Sequence, residues 1–194
     1  MKKADFFTTV RLVFAPVFLI LYMFPVWTGK FAFASACILM PLLGFAEFTD
    51  FLDGFFARRE HAVSDFGKLY DPFADVVLHL TAFFCFAWTG YMPFVLLVLV
   101  FWREFGMTFI RMAAVKKGVA IAARKGGKFK TVLYISGILF SLAVESLIRL
   151  GCDISSSMNI LKTIAACLFG AGTLASYVSF IDYIVHFKGL FEKK

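Results

Sequence analysis

Six long segments of mainly apolar residues follow one another along the 194-residue chain. Each is about as long as a helix that crosses the hydrocarbon core of a membrane, which is roughly 30 Å thick. Hydrophobic residues form 61% of the sequence and charged residues 17%, whereas soluble domains average roughly 45–50% and about 25%. This composition excludes a water-soluble globule. The sequence therefore predicts an all-α integral membrane protein with six transmembrane helices, near residues 6–27, 31–56, 69–88, 93–116, 129–149 and 159–187.

The segments between these helices are short and rich in glycine or polar residues, which is typical of turns. We therefore expect a single membrane domain over residues 1–194. Because the number of spans is even, both termini are expected on the same side of the membrane.

Basic residues are concentrated at one set of predicted helix ends. By the positive-inside rule that side is cytoplasmic, so both termini and the basic loops are expected to face the cytoplasm from the cell membrane. The net charge of +7 is attributed to these loops and to anionic lipid, and no nucleic-acid partner is expected. The basic residues of the cytoplasmic side are Lys2, Lys3, Arg58, Arg59, Lys68, Lys116, Lys117, Arg124, Lys125, Lys128, Lys130, Lys188, Lys193 and Lys194.

Acidic residues are concentrated in one window, since residues 47–75 hold seven of the 13 in the chain. Asp50 and Asp53 are three residues apart, and Asp71 and Asp75 are four apart, so each pair lies on one face of a helix. The polar stretch between the pairs folds the two helices into a hairpin. The four carboxylates are therefore predicted to converge near the cytoplasmic surface of the membrane.

Four clustered carboxylates repel one another and are costly to desolvate unless a cation neutralises them. Hard oxygen ligands suit Mg²⁺ or Mn²⁺, and two such ions form a known clamp for phosphoryl displacement. The nearby Gly54, Ala57 and Gly67 have small side chains that let a ligand approach the helix backbone. The window thus predicts a site with two divalent metal ions.

The same residues resemble the signature of a known family. The pattern Asp-x2-Asp-Gly-x2-Ala-Arg-x8-Gly-x3-Asp-x3-Asp, at residues 50–75, is similar to that of the CDP-alcohol phosphotransferases, membrane enzymes of phospholipid synthesis. The resemblance implies six transmembrane helices, a homodimer, and a cytoplasm-facing cavity where a CDP-linked lipid donates its phosphatidyl group and CMP leaves.

The resemblance also implies a role for each signature residue. Asp50, Asp53, Asp71 and Asp75 would hold the two metal ions, and Asp75 would be the base for the acceptor hydroxyl. The residues that would contact the cytidine diphosphate are Asp50, Asp53, Gly54, Ala57, Arg58, Gly67 and Asp71.

Further segments are similar to the branch of this family whose acceptor is sn-glycerol 3-phosphate: residues 8–11, 66–72, 103–111 and 127–131. The resemblance implies transfer of a phosphatidyl group from CDP-diacylglycerol to glycerol 3-phosphate, which gives phosphatidylglycerophosphate and CMP. An acceptor that carries a phosphate needs cationic or forked donors. The residues expected to bind it are Arg103, Arg111, Lys128 and Lys130.

Other interpretations stay open at this point. The acceptor could be inositol phosphate, serine or another lipid, and a divalent-cation transporter is a distant alternative. Arg103 could form a buried structural pair with Glu104, and His79, a lone histidine on an apolar helix, is more often packed than catalytic. Arg11, Arg103 and Arg111 all fall inside predicted spans, where a charge is usually paired or faces a wet cavity.

Overall fold

The computed structural model describes residues 3–45, 67–118 and 125–192, and the side chains of residues 8–45, 70–118 and 129–186. Within these ranges the protein is helical and contains no β-strand. The predicted all-α fold with six helices is confirmed. The helices α1 to α6 span Lys3–Thr28, Ala32–Phe45, Gly67–Trp88, Phe94–Lys116, Lys125–Arg149 and Met158–Glu192, and a 3-10 turn at Ser155–Ser157 precedes α6.

The helix bounds lie close to the predicted ones. The largest difference is at the end of α6, which was expected near residue 187 and is found at Glu192. α5 begins at Lys125 rather than near residue 129, because the predicted bound marks only where the apolar run begins and the helix continues beyond that run. The expected continuation of α2 to residue 56 lies outside the described residues.

Glycines mark the described turns between helices. Gly29 after α1, Gly90 after α3, Gly118 after α4 and Gly151 after α5 have φ angles of 69°, 81°, 76° and 86°. A helix often ends on a residue in this left-handed region, which glycine enters without a steric penalty. Where the helices before and after a predicted turn are both described, the structure therefore has a turn at the position that the sequence indicated.

Most of these helices are long and apolar enough to cross a membrane. Four described stretches qualify by length and hydropathy, namely Thr8–Thr28, Tyr70–Trp88, Phe129–Arg149 and Ser155–His186. Ala32–Phe45 is a shorter apolar helix. α4 has 23 residues but carries charged residues in its middle. Large apolar side chains such as Trp88 and Phe94 are exposed on the outside, which is the surface expected of an integral membrane protein.

α5 and α6 pack closely through two reciprocal contacts. A Cβ atom on Gly137 of α5 would lie 2.9 Å from the ring of Phe169 on α6. A Cβ atom on Gly172 of α6 would lie 2.5 Å from the ring of Tyr134 on α5. Each helix thus offers a glycine to an aromatic ring of the other. Phe83 of α3 packs edge-on against both rings, with its centroid 5.0 Å from that of Tyr134 and 5.4 Å from that of Phe169.

A buried polar network joins the helices at the end reached by the C-termini of α1, α3 and α5. Arg149 donates to Glu145 Oε1 at 3.0 Å and to Ser35 Oγ of α2 at 2.5 Å. It also donates to the Tyr22 carbonyl of α1 at 3.0 Å, and its guanidinium lies 4.5 Å from the Tyr22 ring. Tyr91, before α4, donates to Glu145 Oε2 at 2.9 Å. These contacts, here called the Arg149 network, fix that end of the bundle.

Candidate active site

A cavity of about 260 Å³ lies toward the other end of the bundle, between α3, α4, α5 and α6. Its wall is unusually rich in charged groups for a membrane protein, where such groups mark functional sites by default. The polar and charged residues that line it are Asp71, Asp75, His79, Arg103, Glu104, Arg111, Lys130, Thr131, Tyr134 and Tyr183.

The aspartates of α3 form one side of the cavity. Asp71 and Asp75 lie one turn apart on the same helix face, as their spacing predicted, and both form ion pairs with Arg11 of α1. Thr8, also on α1, donates to Asp71 Oδ1 at 3.5 Å. The two carboxyl side chains remain 44% and 34% exposed. They are therefore held in place from one side and accessible from the other.

The rest of the predicted carboxylate cluster is not described. Asp50, Asp53, Gly54, Ala57 and Arg58 lie outside the described residues, and Gly67 is described only as the first residue of α3. Among the described residues, no three histidine, cysteine, aspartate or glutamate side chains are grouped closely enough to hold a metal ion. Convergence of four aspartates on two metal ions stays a prediction.

Three of the four cations expected to bind the acceptor phosphate line the same cavity as the aspartates. Arg103 is 4% exposed; it donates to both oxygens of Glu104 at 2.9 Å and to the Ser176 carbonyl at 3.2 Å. Lys130 of α5 donates to Glu104 Oε1 at 2.6 Å. The buried Arg103–Glu104 pair is therefore present, and it is part of the cavity wall. The Glu104 carboxylate pairs with both Arg103 and Lys130, so these three residues together carry a net positive charge.

Arg111 is the most available of these cations. Its Nε is buried without a hydrogen-bond partner, and it forms no ion pair within the described part of the chain. A buried guanidinium nitrogen without an acceptor is costly unless a ligand completes its contacts. Lys128 belongs to α5, but its side chain lies outside the described residues. Its predicted role stays a prediction.

Several lining residues were not predicted as part of the site. Glu104 lines the cavity, and Arg11 lies behind the cavity wall, where it contacts Asp71 and Asp75. Both are buried charged residues, and their position within apolar helices was the signal that could have included them. His79 lies on the cavity wall and stacks on Phe83, with 6.4 Å between ring centroids. Tyr134 places its ring 5.5 Å from Lys130 Nζ. That His79 is packed rather than catalytic stays a prediction, because the residue both contacts Phe83 and lines the cavity.

Comparisons with known proteins identify a family and several relatives of this chain. The family model for CDP-alcohol phosphatidyltransferase matches residues 1–177. A CDP-diacylglycerol--glycerol-3-phosphate 3-phosphatidyltransferase of Treponema pallidum is 32% identical over 96% of this chain and 89% of its own length. An enzyme of the same name from Bacillus subtilis is 29% identical over 68% of this chain and 73% of its own. A probable phosphatidylglycerophosphate synthase of Mycobacterium tuberculosis is 32% identical over 83% and 76%.

Proposed function

Since the chain belongs to the CDP-alcohol phosphatidyltransferase family, we propose that it transfers a phosphatidyl group from CDP-diacylglycerol to sn-glycerol 3-phosphate, which yields phosphatidylglycerophosphate and CMP. The relatives named above carry this activity in their names. The observation that carries the proposal is that Asp71 and Asp75 line the same cavity as Arg103, Arg111 and Lys130. Carboxylates for the reaction and cations for an acceptor phosphate then lie within reach of one small substrate.

The cations are proposed to bind the acceptor through its phosphate. Arg111 brings a guanidinium without an ion-pair partner among the described residues, and Arg103 and Lys130 share one carboxylate. A planar guanidinium can bind two phosphate oxygens at once, which fixes orientation as well as position. Lys128 is proposed to add a further positive charge. Serine carries no phosphate, so this wall favours a phosphorylated acceptor over it.

The aspartates are proposed to hold divalent metal, which members of this family generally use. The described residues fit such an ion, because Asp71 and Asp75 already converge on one cation, the guanidinium of Arg11. Carboxylate oxygens are the ligands that Mg²⁺ and Mn²⁺ prefer. Two ions held by Asp50, Asp53, Asp71 and Asp75 would neutralise the pyrophosphate of the donor and the charge that develops during transfer.

The chain's own residues then position the reactants and move one proton. The acceptor hydroxyl attacks the phosphorus of the phosphatidyl group, the bond from that phosphorus to the CMP oxygen breaks, and Asp75 takes the hydroxyl proton. Asp75 is a suitable base because its carboxylate is partly exposed to the cavity that would hold the acceptor. The residues proposed to contact the cytidine diphosphate are Asp50, Asp53, Gly54, Ala57, Arg58, Gly67 and Asp71.

The orientation and the assembly are further parts of the proposal. The chain is an integral membrane protein. We place it in the cell membrane with both termini and the cavity on the cytoplasmic side, because the basic residues follow the positive-inside rule. A homodimer is proposed from the family resemblance. Cross-linking in native membranes tests the dimer, and protease or thiol accessibility in sealed vesicles tests the orientation.

The reaction is tested by CMP release from purified protein supplied with CDP-diacylglycerol and Mg²⁺ or Mn²⁺. Glycerol 3-phosphate, inositol phosphate and serine are offered separately. Release that depends on glycerol 3-phosphate, and is lost in Asp75→Asn, supports the proposal. Asp153→Asn is the matched control, because Asp153 is an exposed aspartate in the turn before α6. Release with another acceptor alone would overturn the assignment of the acceptor.

A further inference from the structure

Arg11 is the one charged residue within the apolar stretch Thr8–Thr28 of α1. Its side chain is 1% exposed, and its two terminal nitrogens contact different acids, Nη1 with Asp75 and Nη2 with Asp71. A buried arginine in an apolar helix is costly unless it is paired. Both of these acids belong to the motif that is proposed to hold metal.

The contact is supported by the way α1 packs on α3. Thr8 Oγ1 donates to Asp71 Oδ1 at 3.5 Å, and Thr9 Oγ1 lies 3.0 Å from Tyr70 Oη. Thr8, Thr9 and Arg11 occupy about one turn of α1, so this turn is fixed against the first turns of α3. Arg11 is therefore held beside the aspartates by the helix packing and not only by its own charge.

Both carboxyl groups stay accessible beside Arg11. Asp71 and Asp75 each contact its guanidinium, yet their side chains remain 44% and 34% exposed, and both residues line the cavity. A divalent cation could therefore approach the two carboxylates from the side that Arg11 does not cover.

We propose that Arg11 is a built-in counter-cation of the metal site. In the absence of metal it keeps Asp71 and Asp75 together despite their repulsion, and by its charge it lowers the affinity of the site for divalent cations. Arg11 is then a positioning residue that sets metal affinity. This inference rests on the proposed function, because it requires Asp71 and Asp75 to be metal ligands.

The experiment compares metal binding without substrate in the wild type, Arg11→Gln and Arg149→Met. Arg149 is the matched control because it is also a buried arginine paired with a carboxylate, but in the network at the other end of the bundle. Tm is measured in detergent with chelator and with saturating Mg²⁺ or Mn²⁺. The Kd for Mn²⁺ is measured from the electron paramagnetic resonance signal of the free ion.

The expected result is specific to Arg11. Arg11→Gln has a lower Tm than the wild type in chelator and a larger rise in Tm with metal. Its Kd for Mn²⁺ is roughly tenfold lower, which is the size of effect that a neighbouring opposite charge has on the proton affinity of a carboxylate. Arg149→Met also has a lower Tm, but its response to metal equals that of the wild type. A variant Arg11→Gln that folds only with metal present also supports the proposal.

Three outcomes would overturn the inference. If Arg11→Gln and the wild type respond equally to metal, or if Arg11→Gln fails to fold even with saturating metal, Arg11 has only a structural role. CMP release by the wild type separates this failure from failure of the proposed function, since release would persist. If the wild type neither binds Mn²⁺ nor is stabilised by it, the metal site itself fails along with the inference.

Discussion

Lys130 Nζ on α5 lies 2.6 Å from Glu104 Oε1 on α4, across the wall of the cavity. The same carboxylate accepts from Arg103 at 2.9 Å. Glu104 therefore fixes two cations from different helices at one place. This explains why an acid lies in a cavity that is proposed to bind an anionic acceptor, because without Glu104 the two cations would repel each other.

Glu104→Gln is expected to raise the KM for glycerol 3-phosphate roughly tenfold, which corresponds to the loss of a hydrogen bond between charged groups. The cause is that Lys130 and Arg103 lose the carboxylate that orders them. The KM for CDP-diacylglycerol is expected to stay within twofold of the wild type. Steady-state CMP release measures both values. The control is Glu145→Gln, which changes a glutamate in the Arg149 network. An unchanged KM for glycerol 3-phosphate in Glu104→Gln would contradict the prediction.

Arg111→Met is expected to lower kcat/KM for glycerol 3-phosphate roughly 100-fold, because a guanidinium–phosphate contact contributes about 2–3 kcal/mol. Methionine keeps much of the length of the side chain and removes its charge. Lys116→Met on the same helix is the matched control, since Lys116 is exposed and lies outside the cavity wall. An equal loss of kcat/KM in the two variants would contradict the prediction, because it would show that the reaction depends on the net charge of the protein and not on the position of Arg111.

Arg149→Met is expected to reduce stability and leave both KM values unchanged. Removing Arg149 leaves Glu145 largely buried without its ion-pair partner, and breaking a buried pair in this way costs about 3 kcal/mol. A loss of that size corresponds to a fall in Tm of roughly 10 °C. Thermal unfolding in detergent measures it. A variant that keeps the wild-type Tm but loses acceptor affinity would place Arg149 in the functional site instead.

Tyr91, in the turn before α4, is expected to make the protein sensitive to alkaline pH. Burial, and then the nearby Glu145 carboxylate, raise the pKa of Tyr91 above its ordinary value. The folded state therefore favours the protonated phenol. The stability gained in this way is complete below the unfolded pKa of about 10 and is lost as the pH rises from there toward the folded pKa.

Tyr91→Phe tests this relation. The variant loses the hydrogen bond to Glu145, which lowers stability at pH 8 by about 1 kcal/mol. Its Tm is expected to fall less steeply than that of the wild type between pH 9 and pH 11, because residue 91 no longer titrates. Thermal unfolding across this range gives the two slopes. Parallel curves would mean that Tyr91 does not contribute to alkaline unfolding.

The sequence predicted the helices well because a membrane makes their signal strong. Apolar stretches of about 20 residues have the length of a helix that crosses a membrane with its backbone groups paired within the segment. Gly29 and Gly90 marked turns that the structure contains. Asp71 and Asp75 were placed on one face by their spacing alone. Such inferences need only local geometry, and for that reason they could be made without a structure.

The pairs that join different helices could not be predicted in this way. Arg11 and Asp71 are 60 residues apart, and Glu104 and Lys130 are 26 apart. Which face of one helix meets which face of the next depends on side-chain packing across the whole bundle. The sequence identified the arginines as charges that need partners, but the partners follow only from the positions of α1, α3, α4 and α5.

The reciprocal contacts of Gly137 with Phe169 and of Gly172 with Tyr134 have a mechanical consequence. Two rings seated in two notches, three residues apart on each helix, prevent α5 and α6 from sliding past each other along their axes. Tyr134 and Tyr183 on these helices also line the cavity, so these contacts hold that part of the wall in a fixed register. We therefore expect any widening of the cavity that admits a donor to come from movement of α3 or α4 relative to α5 and α6.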